Sequence, residues 1–338
     1  MATSRRLLLT TAVLAAAACA RDDAPTSPDL APAEAMADLR GYVVRDLGTL
    51  GGHYSFAWGI NRHAEVVGSS ERKDGVYRAF LWRRGVMVGL GTLDQGHGES
   101  IALDINDAGD IVGGSSSREG IGRAFLWREG HMTELPTPGG QSTANGINNL
   151  GQIVGYAGAS GQERPALWQN GGYTDLGTLG GVFGEATDIN DKGQIVGGSR
   201  VSNQSDDLHA FLWQNGGMTD LGTLGGRNSW AYAINADGGI VGSSERPSGE
   251  ERAVMWKGGR IIDLGPGRAL GINNEERKVG PASGGDAVPQ VWRFRKAAGL
   301  PTLGRFGGSA TDINDRGQIV GSSVLRSSDE HAVLWRLE

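Results

Sequence analysis

The chain has 338 residues, with 57 glycines, 11 prolines and one cysteine. It lacks a three-residue glycine period, which excludes a collagen-like fibre, and a lone thiol cannot build a disulfide framework. A formal charge of −6 gives no electrostatic hold on phosphate backbones, so no nucleic acid is expected as a partner.

Residues 1–18 read as an export signal. Arg5 and Arg6 precede an apolar run, Leu7 to Ala18, which reaches only about 18 Å as a helix, too short to span a bilayer. Ser4-Arg5-Arg6-Leu7-Leu8-Leu9 resembles a twin-arginine signal. Ala16-Ala17-Ala18-Cys19 resembles a bacterial lipobox, with Ala16 where that pattern prefers Leu. On this reading Cys19 is lipidated and becomes the mature N-terminus; a fortuitous cysteine closing an ordinary signal peptide is the alternative. Residues 19–41, with Pro25, Pro28 and Pro32 among Ala and Asp, read as a flexible tether. The expected location is therefore exported: the cell envelope, held to a membrane through the lipid anchor only, or the extracellular space.

From residue 42 onward one pattern recurs seven times: Ile-Asn, then Val-Gly, then Trp. The asparagines are Asn61, Asn106, Asn148, Asn190, Asn235, Asn273 and Asn314; the tryptophans are Trp82, Trp127, Trp168, Trp213, Trp256, Trp292 and Trp335. Successive tryptophans lie 45, 41, 45, 43, 36 and 43 residues apart, the period of supersecondary units that bury their apolar faces only by stacking. The fourth repeat is the clearest. Glu185–Asn190, Gln194–Ser199, His209–Trp213 and Met218–Leu221 are short segments rich in aliphatic and aromatic residues, and Asn190-Asp191-Lys192-Gly193 and Gln214-Asn215-Gly216-Gly217 carry the residues of hairpin turns.

Four strands per repeat predict an all-β fold, a seven-bladed β-propeller of four-stranded antiparallel blades. Tyr42–Leu47 matches a fourth strand and His331–Trp335 a third. The phase therefore predicts a ring closed by the N-terminal strand joining the three C-terminal strands, an arrangement that hides both sheet edges. An open stack is the competing architecture. The sixth repeat is short, and it leaves counts of six or eight blades open. The tryptophans are expected to pack between blades, and the asparagines to hydrogen-bond local backbone in their turns. Asp104, Asp188 and Asp312 precede Ile-Asn in three repeats; a calcium loop is only faintly matched, because Ala108 sits where an oxygen ligand is needed.

Leu176-Gly177-Thr178-Leu179-Gly180-Gly181, Ala186–Asn190, Gly193–Gly197 and His209-Ala210-Phe211-Leu212-Trp213 together resemble the HAF-type extracellular repeat. The likeness covers residues 42–338 and implies a bacterial, exported, repeat-built protein without an established common activity. The triplet histidine is present at His209 and His331 and reads as Arg78, Arg123, Pro165 and Arg252 elsewhere. A position so freely replaced suits neither a metal ligand nor a catalytic base.

Short turns are expected on one face of the disc. The opposite face takes the Gly-Thr-Leu-Gly-Gly crossings and long polar loops carrying Arg72, Arg118 and Arg246. Those arginines, with Trp58 and Trp230, the tryptophans off the repeated position, are the candidate ligand-binding residues. No nucleophile elbow, zinc motif or phosphate loop occurs, so no catalytic, cofactor or metal residue is assigned. The expected function is a non-catalytic binding or surface-interaction scaffold, monomeric, for an unknown protein or glycan ligand. A carbohydrate-active or other hydrolase or lyase using the channel mouth is the alternative.

Overall fold

The computed structural model describes residues 41–338 except 118–119, 283–287 and 305–306. The signal, Cys19 and the tether to residue 40 lie outside the described residues. All regular structure among the described residues is β. Blade 4 shows the plan: strands Gly184–Ile189, Ile195–Arg200, Leu208–Gln214 and Gly217–Asp220 form one antiparallel sheet in chain order. The same order holds in blade 1 (51–91), blade 2 (100–134), blade 3 (141–175), blade 5 (229–266) and blade 6 (271–299).

Blade 7 is shared between the two ends of the chain. Gly308–Ile313, Ile319–Val324 and Glu330–Leu337 supply three strands, and Tyr42–Asp46 pairs antiparallel with the last of them, from Tyr42 opposite Leu337 to Asp46 opposite Val333. The inner strand of blade 1, Gly51–Ile60, runs on beyond the others and touches blade 7 through one parallel pair, Tyr54 with Glu330.

The core lies between the blades. Each seam has its own cluster of buried apolar side chains. At the seam of blades 6 and 7, for example, Trp335 and Ile319 pack on Val279, Val291 and Leu300. Large apolar side chains buried this way stabilise by about 1.5–3 kcal/mol apiece, so the seams rather than the individual sheets hold the ring together. Three tryptophans also donate across a seam: Trp168 Nε1 to Pro136 O at 2.6 Å, Trp256 Nε1 to Leu221 O at 3.0 Å and Trp335 Nε1 to Pro301 O at 2.7 Å.

The other motif positions have equally local causes. Inner strands bulge by one residue, as between Ala186 and Asp188. At Gly197 on the second strand a Cβ would fall onto the Glu185 carbonyl oxygen, and the Val-Gly glycines of the other blades face the same obstruction. Inner-strand serines fasten blades 1, 2, 3 and 5 to their predecessors: Ser55, Ser100, Ser142 and Ser229 accept from Ala332 N, Ala79 N, Ala124 N and Ala210 N at 2.8–2.9 Å. Second-strand serines such as Ser199 accept from the leucine N–H of the Gly-Thr-Leu-Gly-Gly crossing (Leu179, 3.0 Å). Blade 6 is the thin one, with an inner strand of only Gly271–Ile272.

Candidate functional site

The inner strands surround an axial channel, and at its short-turn mouth lies a cavity of about 230 Å³. It is lined by the Ile-Asn pair and the following residue of all seven blades. Each asparagine Nδ2 donates to the main-chain oxygen of the next asparagine round the ring: Asn61 to Asn106 (3.2 Å), Asn106 to Asn148 (3.2 Å), Asn148 to Asn190 (3.1 Å) and Asn190 to Asn235 (3.0 Å). Asn235 to Asn273 (3.2 Å), Asn273 to Asn314 (3.2 Å) and Asn314 to Asn61 (2.9 Å) complete the circuit. The Oδ1 atoms point back into their own turns; Asn190 Oδ1 accepts from Lys192 N and Gln194 N. With both ends of each buried amide engaged in the protein, the belt has little to offer a ligand.

Just outside the belt a second set of bonds links neighbours through the following residue. Arg62 N, Asp107 N, Asn149 N, Ala236 N and Asn274 N donate to the side chains of Asp107, Asn149, Asp191, Asn274 and Asp315 at 2.8–3.0 Å. This order depends on a short acceptor side chain, and Ala236 and Arg62 cannot supply one.

Higher in the channel stand Asp104, Asp188 and Asp312, on blades 2, 4 and 7. Each carboxylate bridges a seam, accepting from the isoleucine N–H of its own blade and of the next: Ile105 and Ile147, Ile189 and Ile234, Ile313 and Ile60, at 2.7–2.9 Å. The matching positions of the other blades are Gly59, Gly146, Ala233 and Gly271. At Gly59, Gly146 and Gly271 a Cβ would crowd the backbone at Asp104, Asp188 and Asp312, so acid and small residue alternate until blades 5 and 6 put two small ones together. The three aspartates are half-buried. Protein nevertheless encloses them, and burial pushes Asp188 and Asp312 up to about 6. Asp104 is raised well above the usual range by burial and then by repulsion from Asp188 and Asp312. Glu185, nearer the long-loop mouth, is pushed up to about 7 by burial, against the Asn145 Nδ2 hydrogen bond at 2.8 Å. Among the described residues no group of three or more His, Cys, Asp or Glu is placed to hold a metal ion.

The structure spreads the sequence-derived ligand candidates round the ring. Trp58 lies on the inner strand of blade 1, stacked on Phe56 at 6.5 Å, with a buried Nε1 that has no partner. Trp230 lies on the inner strand of blade 5, its ring against Gly198 of blade 4. Arg72 ends a second strand and pairs with Asp74 at 3.1 Å. Arg246 reaches Asp263 at 2.7 Å and Glu250 at 3.5 Å. Arg118 lies outside the described residues. Sequence reasoning did not single out Glu185: one glutamate at a variable position carries no periodic signal.

The triplet position needs one correction. Register places Arg164, not Pro165, opposite Ala157, as His209 is opposite Ser199, so the third repeat holds an arginine there. The position is a polar partner for the acid on the fourth strand of its own blade. His331 meets Asp46 (3.0 Å), Arg123 Glu134 (2.5 Å), Arg164 Asp175 (3.2 Å), His209 Asp220 (2.7 Å) and Arg252 Asp263 (3.1 Å). Blade 6 lacks both members, with Val288 over Gly299. Blade 1 has Gly89 for the acid, and Arg78 turns instead to the carbonyls of Gly96 (2.6 Å) and Gly98 (2.7 Å) in the crossing to blade 2.

No protein-family model matches the chain, and no curated protein matches it. Among solved structures, a puromycin-hydrolysing peptidase of Mycobacterium tuberculosis aligns over 86% of this chain and 52% of its own at 11% identity, with a TM-score of 0.53. TolB from Acinetobacter baumannii aligns over 76% of this chain and 66% of its own at 13% identity and TM-score 0.48. The β-propeller domain of the Trilobed protease from Pyrococcus furiosus aligns over 84% and 96% at 12% identity and TM-score 0.48. The chain thus spans about half of the peptidase and about two thirds of TolB. At such identities the likeness is one of fold: this is an all-β, propeller-like repeat protein.

Proposed function

We propose that the protein is an exported, non-catalytic binding scaffold of the HAF-repeat kind, lipid-anchored at Cys19 after removal of residues 1–18 and held by the tether of residues 19–41. Its ligand, a protein or glycan, is taken on the long-loop face near the channel. One observation carries this reading: the recurring side chains are occupied with one another across the seams, as in the asparagine circuit closed by Asn314 and Asn61. Such residues build a frame, and recognition falls to the loops that differ between blades. Trp58 on the inner strand of blade 1 and Trp230 on that of blade 5 are the aromatic candidates for contacting it.

A second reading rests on Glu185. A carboxyl held at about 7 has the proton affinity of a general acid, which a hydrolase or lyase at this mouth would need. Screening the ring against glycan and peptide arrays, followed by product analysis of each hit, separates the two. Binding without turnover, weakened by Trp58→Ala, is the expected result. Turnover abolished by Glu185→Gln would establish the enzymatic reading instead.

A further inference from the structure

The turns between third and fourth strands, on the short-turn face, differ sharply round the ring. In blades 3 and 4 they read Gln169-Asn170-Gly171 and Gln214-Asn215-Gly216, without charge. Across blades 5, 6, 7 and 1 the same rim carries Arg260, Arg295, Lys296, Arg336 and Arg84, all exposed and none in an ion pair among the described residues. Two further cations there, Lys257 and Arg83, are paired with Glu276 and Glu65. Glu338 is the acid among these turns and the cations outnumber it, so a chain with a formal charge of −6 has gathered a basic arc on one sector of one face.

That sector is also where apolar side chains protrude. Val86, Val88, Phe294 and Leu337 are 61%, 46%, 56% and 36% exposed, half of the eight exposed large apolar residues among those described. Phe294 stands at a turn tip, its backbone in the left-handed region at φ 56°. The described chain enters the ring in the middle of this arc, at Gly41 before Tyr42, which pairs with Leu337.

We infer that the rim of blades 5, 6, 7 and 1 docks on an anionic lipid bilayer. Cations flanking protruding apolar side chains suit a headgroup region, where the charges meet lipid phosphates and the apolar tips enter the acyl boundary. A soluble polyanion would leave Phe294 and Val86 in water. A second copy set arc to arc would bring like charges together. Docking turns the short-turn cavity toward the membrane and holds the long-loop face away from it, open to a ligand. The inference rests on the exported, anchored reading for its setting, but its chemistry requires neither a lipid on Cys19 nor a ligand on the far face.

The ring alone, residues 41–338, is the reagent, since its two ends pair with each other and the apolar leader is left out. It is floated with vesicles of phosphatidylglycerol in phosphatidylcholine, or of phosphatidylcholine alone, at low and high salt. Binding is expected only to the anionic vesicles and only at low salt, since screening shortens the reach of the charges to about 3 Å at 1 M. The combined variant Arg84→Gln, Arg260→Gln, Lys296→Gln and Arg336→Gln should lose affinity on the order of 1,000-fold at low salt. Lys192→Gln, on the same face in blade 4, should bind as the parent does, and Phe294→Asp should weaken binding with its circular dichroism unchanged. Absent binding, equal binding to neutral vesicles, parental binding by the fourfold variant, or a concentration-dependent dimer dispersed by Phe294→Asp would each overturn the inference. Failure of the array screen leaves all of these readouts intact, so the two proposals fall separately.

Discussion

At the scale of single residues, the chain separates buried polar groups that are fully matched from those held at a cost. The asparagines belong to the first kind, with donors and acceptors met on both sides of a seam. The channel aspartates belong to the second. Asp312 in the ring holds its proton up to about 6, whereas an unfolded aspartate releases it near ~3.9. As pH rises the unfolded chain ionises first, so the contribution of this group is whole below about pH 4 and is lost as pH climbs through about 6, a change of about 3 kcal/mol. Asp188 acts in the same direction. Urea midpoints between pH 4 and pH 7 (~3 units) are therefore expected to fall with rising pH, and Asp312→Asn should flatten the slope. An unchanged slope would remove Asp312 from the account. The periodic asparagines were visible in the sequence together with their local turns. Their inter-blade half was not, because it depends on which carbonyl the neighbouring blade presents.

At the scale of an element, blade 6 shows how far the pattern can be eroded. Five of the blades have isoleucine opposite the motif tryptophan, Ile195 opposite Trp213 for instance, and blade 1 has Val66. Blade 6 has Lys278 opposite Trp292, only 2% exposed. Burial lowers its ammonium to about 8, with Glu276 acting in the opposite direction. Lys278→Ile should restore the apolar contact and raise stability by roughly 1–3 kcal/mol at neutral pH. The unfolded lysine keeps its proton longer than the folded one, so the parent gains stability as pH rises through about 8 toward ~10.4 and the variant should gain less. Denaturant titrations of both proteins at neutral and alkaline pH test this. The short repeat spacing marked this blade as irregular from sequence. The lysine itself was unreadable, since burial of one charged residue leaves no periodic trace, whereas Arg164 was legible by counting back from Trp168, four residues as from Trp213 to His209.

At the scale of the whole molecule, closure is non-covalent and concentrated in one strand. Tyr42–Asp46 supplies the fourth strand of blade 7, Tyr42 Oη donates to Gly317 O at 3.0 Å, and Leu47 N donates to Ala332 O at 3.0 Å. Deleting residues 41–47 would leave the edge of Glu330–Leu337 bare. Such a protein should melt at a lower temperature and self-associate on size-exclusion chromatography through the exposed strand; a monomer with parental melting would show the ring to be held by its seams alone. This architecture was legible because the first and last strands fall at complementary points of the same repeat, a relation of phase that survives every substitution in blade 6.

The seven seams are interchangeable in plan, and nothing in the hydrogen-bonded circuit marks where the polypeptide must start. A circular permutant joined at blade 7 and cut in the turn Gln214-Asn215-Gly216 would keep the same strand pairings while moving the point of attachment to the uncharged sector of the same face. The turn at which the ring is opened thus decides from which sector of the disc the chain enters it.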